Sequence, residues 1–290
     1  MIRPLVAVCA LLHFGIASAC SCIHINEAGF IHADLKRLPS NARGALFLVP
    51  DAERDRPAAG LTPESFTITS DQQSGPLKAT LSWPSITADG QAQRVLARVG
   101  PSAGFKPGAR YTISYNGSFR AGRHPAKAEF IIDAAPLRPG TYTLAVDGPP
   151  SSRLLELSTN DGGCGAHEPA AVQPFRYVLP EGYDAYRSAM MYVSVSRSGT
   201  TPFAAINYRP SLCSPRIPGA TFPGEGRDLV YAKCATANPG VEIRGLAGLL
   251  EVEDRLQSTN VVQVDFSKAA GLSCQAIPSP SSHRNKDAQF

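Results

Sequence analysis

Residues 105–115 read Phe-Lys-Pro-Gly-Ala-Arg-Tyr-Thr-Ile-Ser-Tyr, and this stretch combines a turn with the beginning of a strand. Pro107 presets one backbone angle of a turn, and Gly108 can take a positive φ. From Tyr111 to Tyr115 apolar and polar side chains alternate with the period of two that a half-buried strand requires. We expect the ring of Tyr111 to cover one end of a β-sandwich and its hydroxyl group to bond to the backbone, as in a tyrosine corner.

Similar short runs, separated by turn signals, extend over residues 40–135. In two of them the apolar residues share one face: Leu77, Ala79, Leu81 and Trp83 in one run, and Val95, Ala97 and Val99 in another. The predicted strands of this half are Ala45–Val49, Phe66–Thr69, Leu77–Trp83, Arg94–Val99, Tyr111–Tyr115 and Ala128–Ile132. Short strands with frequent turns favour an antiparallel β-sandwich.

Three phrases in this half resemble the bacterial Ig-like domain of the SbsA type. They are Asn41-Ala42-Arg43 before a short strand, Leu61-Thr62-Pro63-Glu64-Ser65-Phe66, and the stretch from Phe105 to Thr112. The resemblance covers about residues 38–133. It implies an Ig-like sandwich that serves as a structural or adhesive module, and it carries over no catalytic residues. The acidic phrase that the family has after its first strand is missing, since Val49-Pro50-Asp51 stands there.

The second half, residues 136–275, is also rich in strand-like runs and predicts a second β-sandwich-like domain. Its eight runs are Tyr142–Val146, Leu154–Leu157, Phe175–Leu179, Met191–Val195, Phe203–Asn207, Leu229–Lys233, Val241–Leu246 and Val261–Phe266. Residues 158–174 and 208–227 are predicted to be long loops, and Leu246–Leu256 has the spacing of one or two helical turns. Pro139-Gly140-Thr141-Tyr142-Thr143 repeats the turn phrase of the first half, which we interpret as one turn chemistry used twice.

The sequence therefore predicts an all-β protein made of two antiparallel β-sandwich domains, the first of them Ig-like. Before these domains we expect a signal peptide over residues 1–19 and a lead-in segment over residues 20–39. After them we expect a disordered tail over residues 276–290, which has little apolar content.

The N-terminus has the features of a secretory signal peptide. Arg3 supplies positive charge, Leu5–Ile16 is apolar, and Ala17-Ser18-Ala19 suits cleavage between Ala19 and Cys20. The protein is thus expected to be exported to the periplasm or the cell surface. The same junction also resembles a bacterial lipobox, although Ala17 stands where that pattern prefers a branched residue. Lipid attachment to Cys20 would instead make an outer-membrane lipoprotein, and only in that case do we expect membrane contact.

Seven cysteines are present, and Cys9 leaves with the signal peptide. The other six form an even set, which in an exported chain indicates disulfides. These candidates are Cys20, Cys22, Cys164, Cys213, Cys234 and Cys274. We prefer pairings among the last four and expect none between Cys20 and Cys22, because that ring would be strained. Lipidation of Cys20 would leave one cysteine unpaired.

Other chemistry-bearing clusters favour structural roles. Cys20, Cys22, His24 and His32 could ligate zinc or copper, but the export context favours disulfides. His167-Glu168 begins like a zinc-binding His-Glu-x-x-His motif, but Ala171 ends the match. Residues 161–165, Asp-Gly-Gly-Cys-Gly, suit a disulfide-anchored turn better than a calcium site. We expect no cofactor and no metal.

Two further features of the sequence bear on partners. Five tyrosines of the second half could form a binding face, but they are more often ordinary strand residues. They are Tyr183, Tyr186, Tyr192, Tyr208 and Tyr231. Asn116-Gly117-Ser118 is a glycosylation sequon.

The net charge of +4 is spread without a basic stripe, so nucleic acid is not an expected partner. We favour an exported, non-catalytic protein with a structural or partner-binding role, whose partner is a protein or glycan of the bacterial envelope. The alternative is a hydrolase or enzyme inhibitor with its site in the loops near Cys164–His167 and Cys213–Gly226. A pocket that holds His167 beside other ionisable groups would favour the enzyme, and a flat face rich in tyrosine would favour binding.

Overall fold

A computed structural model of the chain describes residues 28–49, 61–86, 96–117, 125–157, 166–205, 226–233 and 240–268. In these ranges most residues lie in β-strands, which form four sheets with almost exclusively antiparallel pairing. The predicted all-β, sandwich-type fold class is thereby confirmed. The signal peptide at residues 1–19 and the tail at residues 276–290 lie outside the described residues, and the split into two domains stays a prediction.

The described part of the first half contains nine strands in two sheets. The strands are β1 (Gly29–Phe30), β2 (Arg37–Leu38), β3 (Ala45–Leu48), β4 (Phe66–Ser70), β5 (Gln73–Leu77), β6 (Ala79–Ser82), β7 (Leu96–Pro101), β8 (Arg110–Tyr115) and β9 (Lys127–Ile132). One sheet has the order β1-β3-β7-β6, and the other has the order β2-β9-β8-β4-β5. Only β2 and β9 pair in parallel among these strands.

Aromatic rings from both sheets fill the space between them. Phe47 on β3 lies 5.1 Å from Phe66 on β4 and 4.8 Å from Tyr115 on β8, measured between ring centroids. Phe30 on β1 packs on Phe47 at 5.2 Å. The buried rings hold the two sheets together, because each removes a large apolar area from water.

The stretch 105–115 folds as its sequence predicts. Gly108 has a φ of 79°, and from Arg110 to Tyr115 exposed or half-buried side chains alternate with buried ones. The hydroxyl group of Tyr111 accepts a hydrogen bond of 2.9 Å from the backbone N–H of Lys106. The expected backbone bond of Tyr111 is thus present, and its buried ring packs on Phe105 at 4.8 Å.

Two predictions for this half differ from the structure. The single strand Leu77–Trp83 was wrong, because the chain changes sheets at Lys78: β5 pairs with β4, and β6 pairs with β7. Residues 73–76 of β5 are exposed and carry no alternating apolar pattern, so their strand gives no signal in the sequence. The segment predicted as a lead-in supplies β1 and β2, whose Phe30 and Leu38 are buried in the core.

The described part of the second half contains eight strands, which match the eight predicted runs. They are β10 (Thr143–Val146), β11 (Ser151–Leu157), β12 (Ala166–Val178), β13 (Met191–Arg197), β14 (Ala204–Ala205), β15 (Arg227–Lys233), β16 (Gly240–Gly248) and β17 (Gln257–Asp265). In one sheet β10 and β11 follow one another along one edge of β12, and β15 pairs with its other edge. The second sheet has the order β14-β13-β16-β17.

Here too two predictions are corrected. The loop predicted for residues 158–174 was wrong from residue 166 onward, because these residues begin the long strand β12. Leu246–Leu256 is not a helix: β16 continues to Gly248, and a single turn follows, in which the N–H of Glu253 bonds to the carbonyl of Leu249 at 2.9 Å. The helical spacing in the sequence arises because Leu246 is buried at the end of β16 and Leu249 and Leu250 are buried in the turn that follows.

The core of the second half contains several buried tyrosines. Tyr142, Tyr177, Tyr183 and Tyr192 are each at most 2% exposed and pack with Phe175 and aliphatic side chains. The hydroxyl group of Tyr177 donates a hydrogen bond of 2.9 Å to the carbonyl of Val193, which satisfies its buried polar end. These contacts join the sheet of β12 to the sheet of β13.

The two halves also pack against each other. Leu46 on β3 and Leu96 on β7 lie in one apolar cluster with Met191 and Val193 on β13 and Leu246 on β16. Every residue of β7 is therefore buried, whereas the sequence predicted one solvent-facing side for this strand. Among the described residues the structure contains no helix long and apolar enough to cross a membrane.

Candidate functional site

The turn between β16 and β17, residues 249–256, is the main polar connection between the two halves. The backbone N–H of Arg43 donates to the carbonyl of Glu251 at 2.7 Å. On the other side of the turn, the N–H of Ser85 donates to the carbonyl of Asp254 at 2.9 Å, and the N–H of Leu256 donates to the carbonyl of Ser85 at 3.1 Å. Backbone bonds to two loops of the first half thus fix this turn in place.

Arg98 enters the turn from β7 and is almost completely buried, with 3% of its side chain exposed. Its guanidinium donates to the carbonyls of Leu250 (3.2 Å) and Glu253 (2.9 Å) and to Oδ1 of Asp254 (2.6 Å). A fourth bond, of 2.9 Å, goes to Oγ of Ser82. A buried charge is tolerated only when it is paired and hydrogen-bonded, and Arg98 meets both conditions.

Asp254 receives a second arginine on its exposed side. Arg43 donates to both carboxylate oxygens at 2.7 Å, and the side chains of Arg43 and Asp254 are 57% and 66% exposed. The hydrogen bond from Arg98, together with that from Arg43, lowers the pKa of the Asp254 carboxyl below its ordinary value. The negative charge of Asp254 is therefore compensated within the protein.

A second polar pair crosses the contact deeper inside. Nδ1 of His32 and Oε1 of Glu251 are hydrogen-bonded, and the two side chains are 6% and 1% exposed. Nε2 of His32 and Oε2 of Glu251 have no partner among the described residues. A small void of about 10 Å³ adjoins the pair, and its other walls are apolar, including Phe30, Leu38 and Phe130.

Glu253 carries the most unusual carboxyl group of the turn. Its Oε1 accepts hydrogen bonds from the hydroxyl groups of Tyr142 (2.8 Å) and Tyr183 (3.2 Å) and from the side-chain amide of Gln257 (3.0 Å). Its Oε2 is buried without a partner among the described residues and lies against Gly248, where a Cβ atom would come within 2.5 Å of it. Burial outweighs these bonds and raises the pKa of Glu253.

The two tyrosines act as neutral donors to Glu253. Burial, reinforced by the nearby carboxyl group, raises the pKa of Tyr183 to about 12 and that of Tyr142 further. Both hydroxyl groups therefore keep their protons throughout the ordinary pH range. The outcome is a polar cluster of Tyr142, Tyr183, Glu253 and Gln257 with one buried oxygen unpaired.

A cleft of about 790 Å³ opens beside this turn. Its volume lies within the range of roughly 300–1,000 Å³ typical of small-molecule sites, and such sites often lie between domains. It is lined by Asn41, Arg43, Leu137, Pro139, Tyr183, Leu246, Val252, Glu253, Asp254, Arg255, Leu256, Gln257 and Ser258. Asn41 is fixed there by two bonds to the backbone of Leu137, of 2.9 and 3.0 Å.

Most of the site residues predicted from the sequence lie outside the described residues. These are the disulfide candidates Cys20, Cys22, Cys164, Cys213, Cys234 and Cys274, the cleavage site at Ala19 and Cys20, His24, residues 161–165 and Tyr208. Most of the loops proposed for an enzyme site lie outside them too. His167 and Glu168 are in β12, but only their backbone is described.

The described members of these sets have structural partners. His32, considered as a metal ligand, is bonded to Glu251, and the described ranges contain no group of three or more His, Cys, Asp or Glu residues that could hold a metal ion. Tyr183, Tyr186 and Tyr192 are buried and form no exposed face. Tyr192 is in a strand, as the sequence predicted, whereas Tyr183 and Tyr186 lie in a short 3-10 helix, Tyr183–Ala189. The side-chain amide of Asn116, in the sequon, donates to Oγ1 of Thr67 at 2.6 Å.

The sequence reasoning missed Arg98 and the acidic residues of the turn. One signal was available: Glu251, Glu253 and Asp254 follow directly on the apolar pair Leu249-Leu250, so acids and core residues must share one short turn. Arg98 gives a weaker signal, because a single arginine in an alternating strand normally faces solvent.

Comparison with known proteins does not assign a family. No protein-family model matches the chain. A search of curated proteins also finds no match. The resemblance of residues 38–133 to an Ig-like domain of the SbsA type therefore stays a prediction from the sequence.

Proposed function

We propose that this chain is an exported, non-catalytic binding protein of the bacterial envelope, and that the cleft beside residues 249–256 is its binding site. In this proposal the first half is an Ig-like domain and the second half a further β-sandwich domain. The cleft formed where they meet receives a protein or glycan group of the envelope. Export to the periplasm or the cell surface follows from the signal sequence, with a lipid anchor on Cys20 as the alternative.

The observation that carries this proposal is the fixed wall of the cleft. Arg43 and Asp254 hold each other, Asn41 is bonded twice to Leu137, and the backbone of the turn is bonded to Ser85. Walls that are ordered before binding lose little conformational entropy when a ligand arrives, which favours affinity. A rigid cleft of this size therefore suits recognition.

The protonation chemistry of the cleft also favours binding over catalysis. Glu253 has a raised pKa, as a general acid requires, but Oε1 already accepts three hydrogen bonds and Oε2 is buried against Gly248. A general acid must reach the reacting atom of its substrate. The geometry instead makes Glu253 part of the wall that supports Tyr142 and Tyr183.

The proposal can be tested on protein recovered from the envelope of its own bacterium. Native mass spectrometry detects a retained small ligand, and chemical cross-linking detects a larger partner. Ser258→Trp fills the cleft from the exposed start of β17, and Ser102→Trp, at an exposed turn of the first half, is the matched control. We expect the wild type and Ser102→Trp to retain the same bound species and Ser258→Trp to lose it.

Two results would contradict the proposal. Equal retention by Ser258→Trp would place binding elsewhere on the protein, and no bound species by either method would remove the support for a binding role. Mass spectrometry of the mature N-terminus tests export in the same sample. A chain that begins at Cys20 without added lipid mass is expected.

A further inference from the structure

We infer that the cleft binds an anionic group, a carboxylate or phosphate on a small polar ligand, through the guanidinium of Arg255. This inference rests on the proposed function, because it names the ligand chemistry of the same cleft.

Two arginines and two acidic residues line the cleft: Arg43, Arg255, Glu253 and Asp254. The carboxylate of Asp254 accepts hydrogen bonds from Arg98 at 2.6 Å and from Arg43 at 2.7 Å, so its charge is compensated by two arginines. Arg43 donates hydrogen bonds to both carboxylate oxygens of Asp254. This group of residues presents no net negative charge to a ligand.

The carboxyl oxygens of Glu253 are enclosed by the protein, because Oε1 accepts three hydrogen bonds and Oε2 is buried against Gly248. Its carboxyl group is mostly buried, and this burial raises its pKa. With its carboxyl group enclosed in this way, Glu253 leaves Arg43, Asp254 and Arg255 as the exposed charges of the cleft, and two of these three are cationic.

Arg255 is the arginine with free donors. Within the described ranges its exposed side chain has neither an ion pair nor a hydrogen bond, while its backbone is fixed by a bridge to Ser85. A guanidinium presents a planar set of N–H donors that matches the two oxygens of a carboxylate or phosphate. A fixed backbone with unpaired donors is well suited to such bidentate binding.

The uncharged residues of the cleft indicate which groups the ligand carries besides its anionic group. Leu137, Pro139 and Val252 supply apolar surface, and Ser258 and the amide of Gln257 supply hydrogen-bonding groups. A ring that carries hydroxyl groups and one anionic substituent can use both kinds of wall. Uronic acids and sugar phosphates belong to this class.

The test uses isothermal titration calorimetry on the mature protein at low ionic strength. The probes are glucuronate, glucose 6-phosphate, inorganic phosphate and, as the uncharged reference, glucose. We expect glucuronate or glucose 6-phosphate to bind at least about tenfold more tightly than glucose, and added salt to weaken that binding. Comparing the two sugars with inorganic phosphate shows which anion is preferred and whether the ring contributes.

Variants assign the effect to Arg255. Arg255→Ala is expected to weaken anion binding about tenfold or more, and Arg255→Lys to retain part of it, because a lysine keeps the charge without the planar donors. Arg176→Ala, an exposed arginine on β12 outside the cleft, is the matched control and should bind as the wild type does. Equal thermal melting of Arg255→Ala and the wild type checks that the fold is intact.

Each other outcome overturns the inference. Glucose that binds as tightly as glucuronate would remove the anion requirement, and equal losses in Arg255→Ala and Arg176→Ala would remove the role of Arg255. No measurable binding of any anionic probe would also overturn it. If the wild type retains a bound species and Ser258→Trp loses it, the proposed function is still supported. A failure of anion binding can therefore be distinguished from a failure of the proposed binding function.

Discussion

The imidazole of His32 and the carboxyl group of Glu251 are hydrogen-bonded to each other across the contact between the two halves, although 219 positions separate them in the chain. The cavity beside them is otherwise lined by apolar side chains, among them Phe30, Leu35 and Leu46. Neither group can return to water without opening the contact. The pair therefore links the position of residues 249–256 to the fold of the first half.

Removing one member of this pair is expected to be costly. His32→Ala should lower the free energy of unfolding by about 3 kcal/mol, because it leaves Glu251 buried without its partner. The double variant His32→Leu with Glu251→Leu should lose clearly less, since it leaves no polar group buried. Urea titrations measure both. Equal losses in the single and double variants would show that packing alone, and not the polar pair, determines the stability there.

Arg98 and Arg43 bind the same carboxylate, but we expect very different effects from their removal. Arg98→Ala should destabilise the protein by about 3 kcal/mol, because the carbonyls of Leu250 and Glu253 lose a buried donor. Arg43→Ala removes an exposed ion pair and should cost at most about 1 kcal/mol. Urea titration of both variants checks the contrast. An equal loss of unfolding free energy in the two variants would contradict the expectation that the buried arginine contributes more to stability than the exposed one.

The sequence predicted strands well where only one face of a strand is buried. Residues 110–115 and 127–132 show the period of two in sequence and in burial. In β7 the same pattern misled the prediction, because Leu96 and Arg98 lie on a face that the second half of the chain covers. Local alternation contains no information on a partner that follows about 150 residues later.

Strand β12 was missed in part because of its prolines, which normally exclude a central strand. Both occupy places where a neighbouring strand is interrupted. Pro169 pairs with Leu154 on one side and lies beyond the end of β15 on the other. Pro174 lies between the residues of β12 that pair with β11 and those that pair with β10. The candidate site was unpredictable for a related reason, since residues 249–256 obtain their partners from residues far away in the chain.

The tyrosines of the two related turn phrases, Pro107-Gly108-Ala109-Arg110-Tyr111 and Pro139-Gly140-Thr141-Tyr142, provide a further prediction. Tyr111→Phe loses the bond to the N–H of Lys106 and should cost about 1 kcal/mol, independent of pH between 4 and 8. Tyr142→Phe loses a bond to Glu253, so its cost should grow as this carboxyl group ionises. Trp83, the sole tryptophan, lies against the core of the first half and reports unfolding by fluorescence. A loss of stability in Tyr111→Phe that changes with pH would contradict the prediction that, of these two tyrosines, only Tyr142 is hydrogen-bonded to an ionisable group.

Glu253 determines the sign of the pH dependence in this region. Its pKa in the folded protein is raised above the ordinary value of 4.5, so its contribution to stability is fully present below that pH. The contribution is lost as the pH rises through the raised pKa, by at most about 1.4 kcal/mol for each pH unit. Glu253→Gln cannot ionise and should become more stable relative to the wild type as the pH rises from 4 to 8.

Glu242 is the matched control for this prediction, because its shift has the opposite sign. Glu242 is half-buried on β16, where hydrogen bonds from Arg197 and Gln263 lower its pKa. Its contribution to stability is therefore present above pH 4.5 and is lost on acidification. Glu242→Gln should therefore lose stability relative to the wild type as the pH rises. Urea titrations at several pH values compare the three proteins. A Glu253→Gln curve that runs parallel to the wild type would mean that folding does not raise the pKa of Glu253, which would contradict the prediction.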